Sequence, residues 1–138
     1  MTHMMFFGFG FCAAALAQRL QAQNWRLSAS CRTPEKAALL QAQNIHPVVW
    51  PQAGAPLPAD ALTSVTHALI SAPPNDSGDP VLASAGGALA SIAGDVQWLG
   101  YLSTTGVYGD HDGAWIDEDT PAGAIGERGQ KRVNAEAQ

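Results

Sequence analysis

Apolar residues along this chain fall into short blocks, separated by stretches marked with Gly, Pro or polar side chains. Met4 to Phe7 (MMFF) is a continuous apolar run, the pattern of a strand buried on both faces. Gly8-Phe9-Gly10 breaks it, and Ala13 to Gln23 follows, rich in the helix formers Ala, Leu and Gln, with Leu16 and Leu20 on one face and Gln18 and Arg19 elsewhere. Trp25 to Ser30 is a second expected strand. Thr33-Pro34-Glu35 reads as a helix start, with Thr at the N-cap, Pro at the first helical position and Glu in the first turn; that helix is expected to reach about Gln43. His46 to Trp50 is a third strand. The Pro- and Gly-rich PQAGAPLPAD is a connection, and Ala61 to Val65 is read as one helical turn. His67 to Ala72 is a fourth strand, stopped by Pro73-Pro74. Asp79 to Ile92 is a helix of small residues weakened by Gly86-Gly87, and Val96 to Ser103 is a fifth strand. From Gly109 the chain reads as loop, with a helix starting after Gly129. No internal repeat is evident.

Strands that alternate with helices or connections predict an α/β fold, a doubly wound parallel sheet with right-handed crossovers. The expected strand order is 3-2-1-4-5, with a ligand crevice at the C-terminal ends of the strands.

Composition narrows the function classes. The chain has 138 residues, enough for one domain with a sizeable core, and is 46% hydrophobic and 14% charged, so it should fold. Net charge is −5 and the seven Lys and Arg form no long run, which points away from nucleic acid and from a membrane surface. The one basic cluster is Arg128, Lys131 and Arg132. Cys12 and Cys31 form neither a disulfide framework nor a zinc site; they fit a reducing cytoplasm and are expected as small buried hydrophobes. His3, His46, His67 and His111 show no metal-ligand spacing and read as strand-edge or loop residues. Trp25, Trp50 and Trp98 are expected in the core, and Trp115 is expected to pin its loop by burying its ring. The first apolar run is too short to span a membrane. Ala15-Leu16-Ala17 has the look of a signal-peptide cleavage site, but the first basic residue, Arg19, comes after the run rather than before it.

The chemistry begins at Gly8-Phe9-Gly10-Phe11-Cys12-Ala13, which matches G-x-G-x-x-G/A between an expected strand and an expected helix. Gly8 serves the tight turn, Gly10 lets the backbone approach a pyrophosphate, and Ala13 lets the helix pack closely on the sheet. Helix N-terminal N–H groups, those of Phe11, Cys12 and Ala13, then face the phosphates. An acidic residue about 20 positions onward would bind an adenosine ribose 2′-hydroxyl. The second strand instead ends in Ser30-Cys31-Arg32-Thr33, with no carboxylate, and Arg32 suits a 2′-phosphate. The expected cofactor is therefore NADP, with NAD less favoured. Asp117, Glu118 and Asp119 are read as a solvated turn and helix cap rather than an acid/base pair.

The fifth strand runs into LSTTGVYG, followed by DEDTP and RGQKRVNAE. Together with the glycine turn, this resembles the extended short-chain dehydrogenase/reductase superfamily, in the atypical members of its epimerase/dehydratase branch, from Met4 to Glu136. The resemblance implies the N-terminal, Rossmann-like part of such a protein. It implies that Thr104 hydrogen-bonds the reacting oxygen of the substrate, with Ser103 and Thr105 beside it, and that Ala72 and Pro73 pass the cofactor. The superfamily also expects Tyr-x-x-x-Lys with a Glu four residues after the Lys. Counting back from Glu136 puts Arg132 at the Lys position and Arg128 at the Tyr position. Arg stays protonated up to about pH 12, so it is a poor acid or base, although Arg132 retains the ability to donate to a ribose. Lys131 reaches the Lys position only by a one-residue slip that spoils the Glu136 match, and Tyr108 lies off the catalytic position.

The resemblance implies an NADP-binding oxidoreductase or epimerase acting on a small molecule such as a nucleotide sugar. The alternative is an inactive NADP-binding sensor or scaffold. Residues 1–138 are expected to form one NAD(P)-binding domain, incomplete at its C-terminus and lacking a substrate domain. The exposed sheet edge is expected to be covered by more chain, or else by a partner copy in a homodimer.

Overall fold

The computed structural model describes residues 1–50 and 55–138, so part of the expected PQAGAPLPAD connection lies outside the described residues. Five strands form one all-parallel sheet: β1 (His3–Phe7), β2 (Arg26–Cys31), β3 (His46–Val49), β4 (His67–Ile70) and β5 (Trp98–Tyr101). Their order is β3-β2-β1-β4-β5, as the sequence predicts. The helices are α1 (Phe11–Gln21), α2 (Pro34–Ala42), α3 (Pro80–Ser91) and α4 (Glu127–Glu136). The chain divides into two compact units, Met1–Ala72 with Val81–Leu102, and Pro73–Pro80 with Ser103–Gln138.

The first unit holds the sheet. All five residues of β1 are buried, because this strand pairs with β2 on one side and β4 on the other and is covered on both faces. Met4 and Phe6 point into a cluster with Ala13, Ala17 and Leu20 of α1, Ala37 and Leu40 of α2, and Leu27 and Ala29 of β2. Met5 and Phe7 point the opposite way, into a cluster with Val81, Ala85 and Leu89 of α3 and with Ala68 and Ile70 of β4. Side chains alternate across a strand, so a stretch with two apolar faces is apolar at successive positions, as Met4 to Phe7 are. This apolar stretch is the central strand of the sheet.

Local signals set several boundaries. Thr33 caps α2, its hydroxyl accepting from Lys36 N at 3.3 Å with Pro34 opening the helix. Glu35 in the first turn has its carboxyl held below the usual range by its own backbone N–H and by the Thr33 hydroxyl. Other expectations are corrected. Ala61 to Val65 is a series of hydrogen-bonded turns rather than a helical turn; Ser64 at φ 58 interrupts any helix, although Ala61, Leu62 and Val65 are buried all the same. The last helix starts at Glu127, ahead of Gly129, because Gly126 at φ 87 takes the chain break. Trp98 is 45% exposed and Leu99 54% exposed, since β5 pairs only with β4 among the described residues. Trp25 and Trp50 sit at the margins of the two clusters, edge-on to His67 and Phe7 respectively. Cys31 is buried as expected, whereas Cys12 is exposed at the start of α1.

In the second unit, a single 3₁₀ turn at Thr105–Val107 and α4 are the regular elements. Trp115 is fully exposed rather than buried, so it does not pin its loop. Asp117 organises the expected solvated turn, accepting from Asp119 N and from the Thr120 hydroxyl, while its own N–H donates to Thr120 Oγ1. The expected helix cap is not formed there, because the next helix starts at Glu127 with Gly126 at its N-cap and no side chain capping it. Among the described residues, no helix is long and apolar enough to cross a membrane. None of their His, Cys, Asp and Glu side chains form a group of three or more able to hold a metal ion.

His3 departs furthest from its expected edge or loop role. It opens β1, is 2% exposed, and its Nε2 lies 2.8 Å from Ser28 Oγ. Burial, chiefly, and the nearby Arg26 charge hold its pKa below the ordinary 6.5, against the opposing pull of the Thr63 and Ser64 backbone. The unfolded chain therefore takes up a proton near pH 6.5 that the native chain refuses, and stability falls as pH drops below that value. For this one group the slope is at most about 1.4 kcal/mol per pH unit. Thermal melts from pH 8 to pH 5 are expected to show this acid loss, and His3→Asn is expected to flatten it. Parallel profiles for the two proteins would show that His3 is not the cause.

Candidate functional site

In the first unit, the ends of β1, β2 and β4 converge on Gly8. The register sets Phe6 level with Ala29 and Phe7 level with Ile70, so the residues just beyond reach the turn together. Gly8 has φ +90, the left-handed region that favours glycine. Its N–H donates to Ser30 Oγ at 2.9 Å, and its carbonyl accepts from the Ser71 hydroxyl at 3.0 Å. A Cβ at Gly8 would lie 2.9 Å from Ala72 N and 3.0 Å from Ser71 Oγ, so conformation and space both exclude a side chain. Phe9 packs its ring edge-on against Phe6, with centroids 5.5 Å apart.

Gly10 is the opposite case. It is the N-cap of α1, at φ −98, and a Cβ there would meet nothing within 4 Å. Its carbonyl accepts the first helical bond, from Ala14 N at 2.9 Å, and no side chain caps the helix. The N–H groups of Phe11, Cys12 and Ala13 lack intrahelical acceptors by the geometry of any helix start. Ala13, 1% exposed, lies against the core, while the Phe11 ring is 90% exposed. Open space before an uncapped helix N-terminus is a cradle for an anion approached by backbone.

At the end of β2, Cys31 is buried, with its thiol pKa pushed up by desolvation, and Arg32 is exposed. The Thr33 hydroxyl is engaged as the α2 cap. Ala72 is half-buried and donates its N–H to the Phe7 carbonyl at 3.0 Å.

The other expected residues belong to the second unit. Ser103 donates its hydroxyl to Glu136 Oε1. Thr104, exposed, caps the 3₁₀ turn, and its Oγ1 accepts from Gly106 N at 3.3 Å. A Cβ on Gly129 would lie 3.0 Å from the Gly106 carbonyl, so this buried glycine lets α4 rest on the turn. With Glu136 at Ser103 and Gly129 at Gly106, α4 runs antiparallel to the 103–106 segment, and half-buried Arg132 falls between those two contacts in sequence. Arg128 is exposed. Lys131 pairs with Asp76 at 2.6 Å and with Glu127 at 2.5 Å, and these bonds raise its pKa, that to Asp76 most. Pro73 is exposed.

Sequence reasoning missed Ser30 and Ser71. Each is a single hydroxyl at a strand end, and only the parallel register brings both to Gly8.

No family model matches the chain, and none of the curated proteins matches it. Among solved structures, it is similar to a functionally unknown conserved protein from Silicibacter pomeroyi DSS, at 43% identity and a TM-score of 0.88, covering 99% of this chain and 47% of that one. It is similar to dTDP-glucose 4,6-dehydratase from Bacillus anthracis in complex with NAD, at 15% identity and a TM-score of 0.71, covering 99% and 49%. A putative NAD-dependent epimerase/dehydratase from Methylobacillus flagellatus gives 21% identity and a TM-score of 0.65, again covering 99% and 49%. The chain thus spans about half the length of the structures it matches. The resemblance to the short-chain dehydrogenase/reductase superfamily holds at the level of fold: the sheet and its helices are the Rossmann arrangement of these structures.

The two glycines should respond differently to substitution. Gly8→Ala forces a left-handed φ and a backbone clash, and is expected to cost about 2 kcal/mol or more. Gly10→Ala is expected to change stability by less than about 0.5 kcal/mol, as an exposed substitution. Urea denaturation of both variants measures the contrast, and equal losses would contradict it.

Proposed function

We propose that this chain binds NADP and forms the cofactor-binding part of an oxidoreductase or epimerase/dehydratase acting on a small molecule of the nucleotide-sugar class. The observation that carries the reading is the pair of glycines, one closed and one open, before an uncapped helix start. In this reading the backbone at Gly8, Gly10, Phe11, Cys12 and Ala13 seats the pyrophosphate. Arg32, with Thr33 beside it, takes the 2′-phosphate, and Ala72, Pro73 and Ser103 border the cofactor. The fold neighbour described in complex with NAD supports a nicotinamide dinucleotide. The exposed Arg32, with no carboxylate among Ser30, Cys31, Arg32 and Thr33, supports NADP over NAD.

When bound, such a dinucleotide supplies hydride chemistry. The chain's own residues supply orientation. Ser103 spends its proton on Glu136, whereas Thr104 accepts from Gly106 N and keeps its O–H for a substrate oxygen. Arg128 and Arg132 are permanent cations that hold anionic or oxygen-bearing groups and do not exchange protons near neutral pH. A second reading, an NADP-binding sensor or scaffold without turnover, is favoured by one observation. Arg stands at both helix positions where the superfamily expects Tyr and Lys, and the neighbouring Lys131 is engaged by Asp76 and Glu127.

Calorimetric titration with NADPH and NADH tests the reading. NADPH is expected to bind about tenfold tighter, the worth of one charge-assisted contact, and Arg32→Ala should abolish that preference. Gly10→Ala should fold and lose most of its NADPH affinity. Equal affinities indifferent to Arg32 would sink the 2′-phosphate assignment. Cofactor-dependent turnover of nucleotide sugars abolished by Thr104→Ala would decide against the sensor.

A further inference from the structure

The turn after β1 must orient two successive peptide groups, and side chains from two other strand ends hold both. The Phe7–Gly8 peptide is fixed at each end. Its carbonyl accepts from the backbone N–H groups of Ser71 and Ala72 at 2.9 and 3.0 Å, and its N–H donates to Ser30 Oγ at 2.9 Å. The Gly8–Phe9 peptide is held through its carbonyl by the Ser71 hydroxyl at 3.0 Å, which also lies 3.3 Å from the Phe7 carbonyl.

Gly8 has no Cβ to restrict it, so the Gly8–Phe9 peptide is the group in this turn most free to rotate once its carbonyl is released. Rotation would exchange the directions of its N–H and its C=O. An anion seated by backbone N–H groups and a helix N-terminus is repelled by a carbonyl turned toward it. We infer that Ser30 and Ser71 are positioning residues for the phosphate-binding turn: by holding Gly8 from two sides, they keep its carbonyl away from the pyrophosphate and its geometry constant. This rests on the reading of the chain as a dinucleotide binder. Ser71 acts on the Gly8 carbonyl. Ser30 ties the turn to the β2 end, two residues before Arg32, so the two ends of the cofactor are gripped by one hydrogen-bonded unit. Both serines are half-buried, and trimming one hydroxyl leaves the apolar clusters untouched.

The test compares two ligands on the wild-type chain and on Ser71→Ala, with melting temperatures recorded alongside. NADPH needs the phosphate turn. Adenosine 2′-monophosphate carries the adenosine and the 2′-phosphate but no 5′-phosphate, so it does not. Ser71→Ala is expected to weaken NADPH about tenfold and to leave adenosine 2′-monophosphate within about twofold. Unchanged NADPH affinity, or an equal loss for both ligands, overturns the positioning role. If the wild-type chain binds neither ligand, the dinucleotide reading falls and this role with it. If it binds both and Ser71→Ala does not differ, only the role falls. Should Ser71→Ala fail to fold, Ser30→Ala carries the same comparison.

Discussion

The structure depends on β1 being buried from every side. It pairs with β2 and β4 along its edges and sends Met4 and Phe6 to one face and Met5 and Phe7 to the other. A strand so placed cannot face water anywhere, so both faces of the sheet must be covered, by α1 and α2 on one side and by α3 with Ala61, Leu62 and Val65 on the other. The parallel pairing has a second effect. It brings the C-terminal ends of three strands level, so Gly8 and Ser71, the first residues beyond β1 and β4, meet each other and Gly8 meets Ser30 near the end of β2.

Those residues build the glycine turn, where the two glycines divide the work. Gly8 is shaped by the protein's interior: a positive φ, close backbone from Ala72, and serines on both its N–H and its C=O. Gly10 faces open space at the head of an uncapped helix. In the proposed reading, a turn held by hydrogen bonds beside an open helix start suits backbone recognition of an anion, because ordering a loose loop at the moment of binding would cost affinity.

The second unit shows a similar division between neighbouring hydroxyls. Ser103 anchors α4 through Glu136, Gly129 lets that helix sit on the Gly106 carbonyl, and Thr104 is left with a proton to donate. The cations of α4 are not equivalent. Lys131 is committed to two carboxylates, while Arg128 is exposed.

Much of this was legible in the linear pattern. MMFF specified a strand with two buried faces, Thr33-Pro34-Glu35 a capped helix start, and the order of blocks a 3-2-1-4-5 sheet. Each follows from local sterics or from side-chain periodicity, which the chain carries wherever it goes. The misjudged residues are those whose surroundings come from distant chain. Trp98 was expected in the core because it sits in a strand, and Trp115 was expected to bury its ring against its loop, yet Trp98 lies half-exposed on an edge strand and the Trp115 ring is fully exposed. His3 looked peripheral and is buried against Ser28. Ser30 and Ser71 carried no signal, since a lone serine acquires meaning only when strand register places it against Gly8. The sequence alone therefore determined the five strands, the first three helices and the glycine turn, because these rest on interactions within a few residues. The tertiary structure alone decided burial, the hydrogen-bond partners of the turn and which hydroxyl stays available, because these rest on contacts between residues tens of positions apart.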